Sequence, residues 1–205
     1  DDARSCRYAF HMNTNYQLSV DTGRLAIENG TANPKWFRPD VDPHNIRNLM
    51  QKSDAIAIRD TAIWLGMMIV SAGCAVALWP SVWSVPFWLV YGVLYGSAAD
   101  SRWHECGHKT AFKTTWMNNA VYQLASFMIM RNPAIWQASH VRHHTDTIIV
   151  GRDPEIVAMR PPDLARIALA FVGVVDVYIA FKRMILHASG RIDPEEATYV
   201  AAKDH

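Results

Sequence analysis

His104-Glu105-Cys106-Gly107-His108 and, further on, His140-Val141-Arg142-His143-His144 gather five of the nine histidines of this 205-residue chain. On a helix, His104 and His108 stand at i and i+4 and share one face. His140, His143 and His144, at i, i+3 and i+4, share one stripe in the same way. Neutral imidazole is the commonest metal ligand, and two such faces turned toward each other can hold one or two transition-metal ions. A solvated surface cluster would account for one pair at this spacing. Two groups of such spacing in one chain point to metal.

The first group also reads as HExxH, in which two histidines bind zinc and the glutamate between them acts as general base. Such a zinc site takes three protein ligands and a water. Five histidines are more than one zinc can use, which favours a dinuclear centre over a membrane zinc protease. Glu105 then reads as an acceptor that orients an imidazole N–H. Asp100 and Asp153 lie near the two groups and are candidates for the same work, although Asp153 before Pro154 suits a turn or helix cap equally well. Cys106, at i+2 from His104, points off the histidine face and is not expected to ligate. Arg131 and Arg142 suit either an anionic head group or ordinary solvation. His187 and His205 lie outside both groups and are assigned no ligand role.

The elements that must position these residues are expected to be helices. Thr61–Trp79 carries no charge and is closed by Pro80, and Val82–Ala99 is again uncharged. Each is close to the ~20 residues needed to cross a ~30 Å hydrocarbon core. The hairpin between them, with Trp79 and Trp83, suits a membrane interface. Arg47, Lys52 and Arg59 precede the first run, and Arg102, Lys109 and Lys113 follow the second. Positive charge on both outer flanks places them in the cytoplasm, so the first histidine group emerges on that side, on a continuation of the second span. Trp116–Met130 reads as a helix lying in the interface or packing under the metal site. A further helix from about Ala134 carries the second histidine group.

Leu164–Phe181 is a third apolar block, interrupted by Arg166 and Asp176, and either spans or lies along the interface. Residues 1–54 are polar and turn-rich, with a helix expected from Asp42 as N-cap and Pro43 at the first position to about Lys52. Met12 is a candidate start within that stretch. Residues 188–205 form a polar tail. The small residues Gly92, Gly96, Ser97, Ala98 and Ala99 read first as close helix packing. A net charge of +1 gives no reason to expect nucleic acid. Cys6, Cys74 and Cys106, odd in number and widely spaced, argue against a disulfide scaffold.

Together the two histidine groups resemble the histidine boxes of the membrane fatty acid desaturase family, which includes related hydroxylases. The resemblance extends to His108-Lys109-Thr110-Ala111-Phe112 after the first box and to Arg152-Asp153-Pro154-Glu155 after the second, and covers about residues 35–200. It implies an all-α integral membrane protein with cytoplasmic histidine-box helices, and a desaturase domain over residues 55–187. It also implies two iron ions held by His104, His108, His140, His143 and His144, O2 as oxidant and a lipid acyl chain as substrate. No fused cytochrome b5 motif is present, so electrons are expected from a separate ferredoxin- or cytochrome b5-type donor. The family's two hairpins favour a span at 164–181. Its third box is not found before His205, so the expectation is a C-terminally truncated portion, inactive on its own.

Overall fold

The computed structural model describes residues 18–32, 35, 37, 39–156 and 164–201, with the side chains of Ala99, Asp100, Arg166 and Phe171 left undescribed. Met12, Cys6, Pro161, Pro162 and His205 lie outside the described residues. All regular structure among those described is helical, as the sequence leads one to expect. The chain divides into two compact units, one of Arg38–Pro133 and one of Asp1–Phe37 with Ala134–His205.

In the first unit, helix α2 (Pro43–Leu49) starts where a proline needs no N–H partner, and the Asp42 carboxylate accepts from the His44 N–H at 2.9 Å. The helix ends three residues before the expected Lys52. Helix α3 (Asp54–Ala77) is 24 residues long, about 36 Å, and by length and composition can cross a membrane. Trp64, Met68, Ser71 and Ala75 are its buried stripe. The Trp64 indole donates to the Leu94 carbonyl of helix α4 (Ser84–Gly96). Ile63, Met67, Ile69, Val70 and Val76 point outward. Only 22 % of the most apolar stretch of α3 is covered by protein, whereas a core helix of a soluble domain is mostly covered.

Helix α4 departs from expectation. Its 13 residues, about 20 Å, are shorter than the span of 82–99 read from composition. The helical path nevertheless continues, through a π-helical turn at Ala98–Arg102 into helix α5 (Trp103–Gly107). The first histidine box therefore rides on the end of this column. A Cβ placed on Gly92 or Gly96 would meet nothing within 4 Å, so close packing among the described residues does not explain those glycines.

Helix α6 (Thr115–Met128) packs under α5. Its Asn118 is buried and closes the loop after the box. Its side-chain oxygen accepts from the Phe112 N–H at 3.0 Å, and its amide donates to the Phe112 and Thr114 carbonyls at 2.8 and 3.3 Å. Asp54 accepts from the Thr114 N–H and hydroxyl at 2.9 and 2.7 Å, which lowers its carboxyl pKa, and Lys52 donates to the Lys109 carbonyl. The turn from His108 to Thr114 is thus fastened along its length. Replacing Asn118 by alanine leaves the buried Phe112 N–H and C=O unpaired. We expect a loss of about 1–3 kcal/mol per unpaired group, read as a lowered unfolding midpoint in detergent. An unchanged midpoint would show that the clamp contributes nothing.

In the second unit, helix α1 (Val20–Glu28) is opened by a reciprocal cap between Ser19 and Thr22. Helix α7 (Pro133–Asp146) carries the second histidine box, and its loop turns back through Ile148 at φ 67° and Gly151 at φ 78°. A Cβ on Gly151 would lie 2.4 Å from the Thr22 Cβ, so only glycine lets α1 seat on this loop. The apolar block after it is two helices, α8 (Leu164–Val172) and α9 (Val174–Ala188), parted at Gly173 with φ 74°. The block expected as a third apolar stretch is thus helical but bent, α8 and α9 running about 13 and 22 Å. A 3-10 turn at Glu196–Thr198 follows.

Candidate metal centre

The i, i+4 spacing of the first box does on α5 what helix geometry requires. The rings of His104 and His108 lie 4.9 Å apart, with ligand nitrogens within 4.8 Å of each other. The opposite face explains why the histidines point as they do. Trp103 is buried, donates its indole N–H to the Ser126 hydroxyl at 3.0 Å, and stacks on Tyr122, while the Arg131 guanidinium lies over its ring, 5.4 Å from the ring centre. Cys106 is buried on that same side. Burial, reinforced by the Glu105 charge, pushes its thiol up to about 11.

The second box is held more elaborately. Trp136, one turn before His140, is buried and stacks on its ring at 4.5 Å, which fixes the ring plane. Nδ1 of His140 lies 3.0 and 3.1 Å from the two carboxylate oxygens of Glu155. Nδ1 of His143 lies 2.9 Å from both oxygens of Asp153. A carboxylate accepts only from N–H, so these contacts place the proton on Nδ1 and leave the Nε2 lone pair for a metal. Asp153 is itself fixed, since its oxygens accept from the Ile148 and Glu155 backbone N–H groups at 2.8 and 2.9 Å. Its expected turn role and its orienting contact are both present in one buried side chain.

Nε2 of His140 lies 3.1 Å from Nε2 of His144. That is the spacing of adjacent ligands at roughly 2.1 Å from one metal ion, so this half of the donor set fits a transition-metal site. His143 stands beside this pair, its ring centre 5.8 Å from that of His140.

Among the other residues singled out in the sequence, Glu105 is exposed and makes no side-chain hydrogen bond to a histidine among the described residues. Asp100 sits in the π-helical turn. Arg142, read from sequence as suiting either a head group or solvation, is held within the fold. It pairs with buried Asp146, which also holds Arg152 at 2.9 Å, and reaches the Thr198 carbonyl. Glu155 was not singled out as a site residue. The only signal was its place in the Asp153-Pro154-Glu155 turn.

Comparison with known proteins agrees with this chemistry. Residues 77–193, more than half of the chain, match the family model for fatty acid desaturase. A bifunctional fatty acid conjugase/Delta(12)-oleate desaturase of Punica granatum is 31% identical over 126 residues, covering 59% of this chain and 31% of that protein. The omega-6 fatty acid desaturase, endoplasmic reticulum isozyme 1, of Glycine max is 27% identical over 124 residues, covering 59% and 31%. A Delta(12)-fatty-acid desaturase of Arabidopsis thaliana is 26% identical over 139 residues, covering 66% and 36%. The chain thus spans about a third of the length of the curated relatives it matches. No solved structure matches.

Proposed function

The chain belongs to the fatty acid desaturase family, and on that premise we propose that it serves an O2-dependent di-iron desaturase that introduces a double bond into a lipid acyl chain. The observation that carries this reading is the pair of carboxylates, Glu155 and Asp153, each on the Nδ1 of a box histidine. Such outer partners are what metal-binding imidazoles use to hold tautomer and orientation. The proposed ligands are His104, His108, His140, His143 and His144. Two iron ions held by them would supply the activation of O2 that removes two hydrogens from adjacent, unactivated methylenes.

The chain's own part is to hold and orient. Glu155 and Asp153 keep the Nδ1 protons of His140 and His143 in place, so those rings act through Nε2. Trp136 sets the plane of the His140 ring. Trp103, tied to Ser126 and Tyr122, turns α5 so that His104 and His108 face away from α6. Of the orienting carboxylates proposed from sequence, Asp153 has its contact on His143 and Glu155 adds one on His140, while Asp100 stays a proposal and Glu105 makes no such contact among the described residues. The acyl chain, dissolved in lipid, reaches the site from the membrane, and a separate ferredoxin- or cytochrome b5-type protein donates electrons. The relatives' names point to a long acyl chain desaturated beyond an existing double bond, and we take that substrate class for this chain.

Metal analysis and product analysis test the proposal together. A full-length version of the protein, supplied with ferrous iron anaerobically, is expected to bind near two irons per chain through mostly nitrogen ligands. Membranes in which it works should gain acyl chains lighter by two hydrogens. One tightly held zinc with no iron would overturn the assignment, and hydroxylated acyl chains would move it to the hydroxylase branch.

The proposed membrane setting carries its own expectation. We place α3 from about Thr61 onward and α4 with the start of the turn that follows it across the bilayer, with α5 and both histidine boxes on the cytoplasmic side. With the other thiols removed, Ser81→Cys should react with a membrane-impermeant maleimide from the non-cytoplasmic face. Lys113→Cys, exposed beyond the first box, should react only after permeabilisation. Labelling of Lys113→Cys in sealed cells would reverse the orientation.

A further inference from the structure

The loop that follows α7 runs back along the helix it has just left. Three of its side chains meet three helix residues spaced by three: Arg152 meets Asp146, Asp153 meets His143, and Glu155 meets His140. At 100° per residue, each step of three turns about 60° around the helix, so the contacts follow one continuous track over two turns. The second and third contacts hold imidazole Nδ1 atoms. The first joins a carboxylate to a guanidinium.

Asp146 is the last residue of α7, and its side chain is 1 % exposed. Its Oδ2 accepts from Arg152 Nε at 2.9 Å and also from Arg142 Nε, one turn earlier on the helix. Its buried Oδ1 has no hydrogen-bond partner among the described residues. Between the two ends of this clasp, the Ile149 N–H donates to the Asp146 carbonyl at 2.9 Å and the Arg152 N–H to the Ile149 carbonyl at 3.0 Å. The desolvation of a buried ionic group largely offsets its attraction, so this cluster by itself says little about stability. Its position says more. The residue after Arg152 must deliver a carboxylate to His143, and Glu155 must then reach His140. A slip of one residue would set Arg152 or Pro154 against His143, and neither side chain can accept an N–H.

We propose that Asp146 is a positioning residue for the second histidine box: through Arg152 it sets the register in which Asp153 and Glu155 fall on the Nδ1 atoms of His143 and His140. The task needs a charge. Two guanidinium N–H groups converge on one oxygen, and an amide at this place would bury its NH2 without an acceptor among the described residues. Arg142 shares the carboxylate but belongs to the helix, so it carries no part of the loop. The proposal deepens the metal-centre reading and rests on it for its effect on iron, while the register itself is read without metal.

The Nδ1 protons of His140 and His143 report that register directly. In the full chain, metal-free and carrying isotope-labelled histidine, magnetic resonance should show for each a low-field proton slow to exchange with water. His140→Gln and His143→Gln assign the two signals by removing them. Asp146→Asn and Arg152→Gln should each abolish both signals and, in a full-length version, weaken iron binding by about 10- to 100-fold. Arg142→Gln should lower the unfolding midpoint and keep both signals. Should Asp146→Asn fail to fold, Arg152→Gln decides, because that side chain is partly exposed. Persistence of both signals in Arg152→Gln or in a folded Asp146→Asn would overturn the proposal. Their loss in Arg142→Gln as well would reduce Asp146 to general support of the fold and overturn it equally. Lost signals beside unchanged iron affinity would leave the register standing and overturn instead the reading of these imidazoles as ligands.

Discussion

Alanine in place of His140 in a full-length version of the protein is expected to lower desaturation by at least about 100-fold, which is the upper range for loss of a residue that merely supports a ligand. His140 is the most enclosed of the box histidines whose partners are resolved, stacked on Trp136 and bonded through Nδ1 to Glu155. Its Nε2 faces that of His144 at 3.1 Å, so its loss removes one of two adjacent donors and leaves the Glu155 carboxylate without its N–H. Iron content should fall with activity, while helix content and membrane insertion are retained, because the packing of α7 also rests on Ile135, Trp136 and Ser139. Double-bond formation by mass spectrometry, with iron measured on the same preparation, reads the result. A variant that keeps a tenth or more of its activity and its full iron would show that His140 is not a ligand.

Asp153→Asn is expected to weaken iron binding by about 10- to 100-fold. Asparagine keeps the shape but loses the charge and one acceptor oxygen. Asp153 accepts from the His143 ring and from the Ile148 and Glu155 N–H groups at once. An amide cannot serve all three, so either the ring or the loop loses its partner. Loss of the loop contact would also loosen Glu155 on His140, and the effect would then exceed that of freeing His143 alone. Iron titration followed by ligand-field absorption separates the two: an affinity loss with unaltered unfolding midpoint indicates the ring, and a lowered midpoint indicates the loop. Wild-type affinity would remove Asp153 from the site. Asp153→Glu, with the charge kept and the reach changed, should recover part of the loss.

What was legible in the sequence is what helix periodicity and local chemistry determine. Histidines at i and i+4 share a face whatever surrounds them, so the two ligand groups were readable before any fold. The Asp42-Pro43 start is local in the same sense, being decided by one side chain and one missing N–H. Cys106, at i+2, had to leave the histidine face, and its burial follows from that. The uncharged stretch from Thr61 needed only its length to declare helix α3.

Tertiary structure decided what depends on the path of a loop or on a single backbone angle. Glu155 reaches His140, fifteen residues away, only because Ile148 and Gly151 take positive φ and fold the loop back on α7. No periodicity encodes that return. The same turn brings Gly151 under Thr22 of α1, joining a helix from the polar N-terminal stretch to the loop that orients the second box. Composition made 164–181 look continuous, because hydropathy averages over residues and cannot register one glycine at φ 74°. Arg142, free by sequence, is bound by Asp146, four residues on, whose carboxylate only burial turned into a partner. Spacing chose the ligands, and the folded loop chose the carboxylates that aim them.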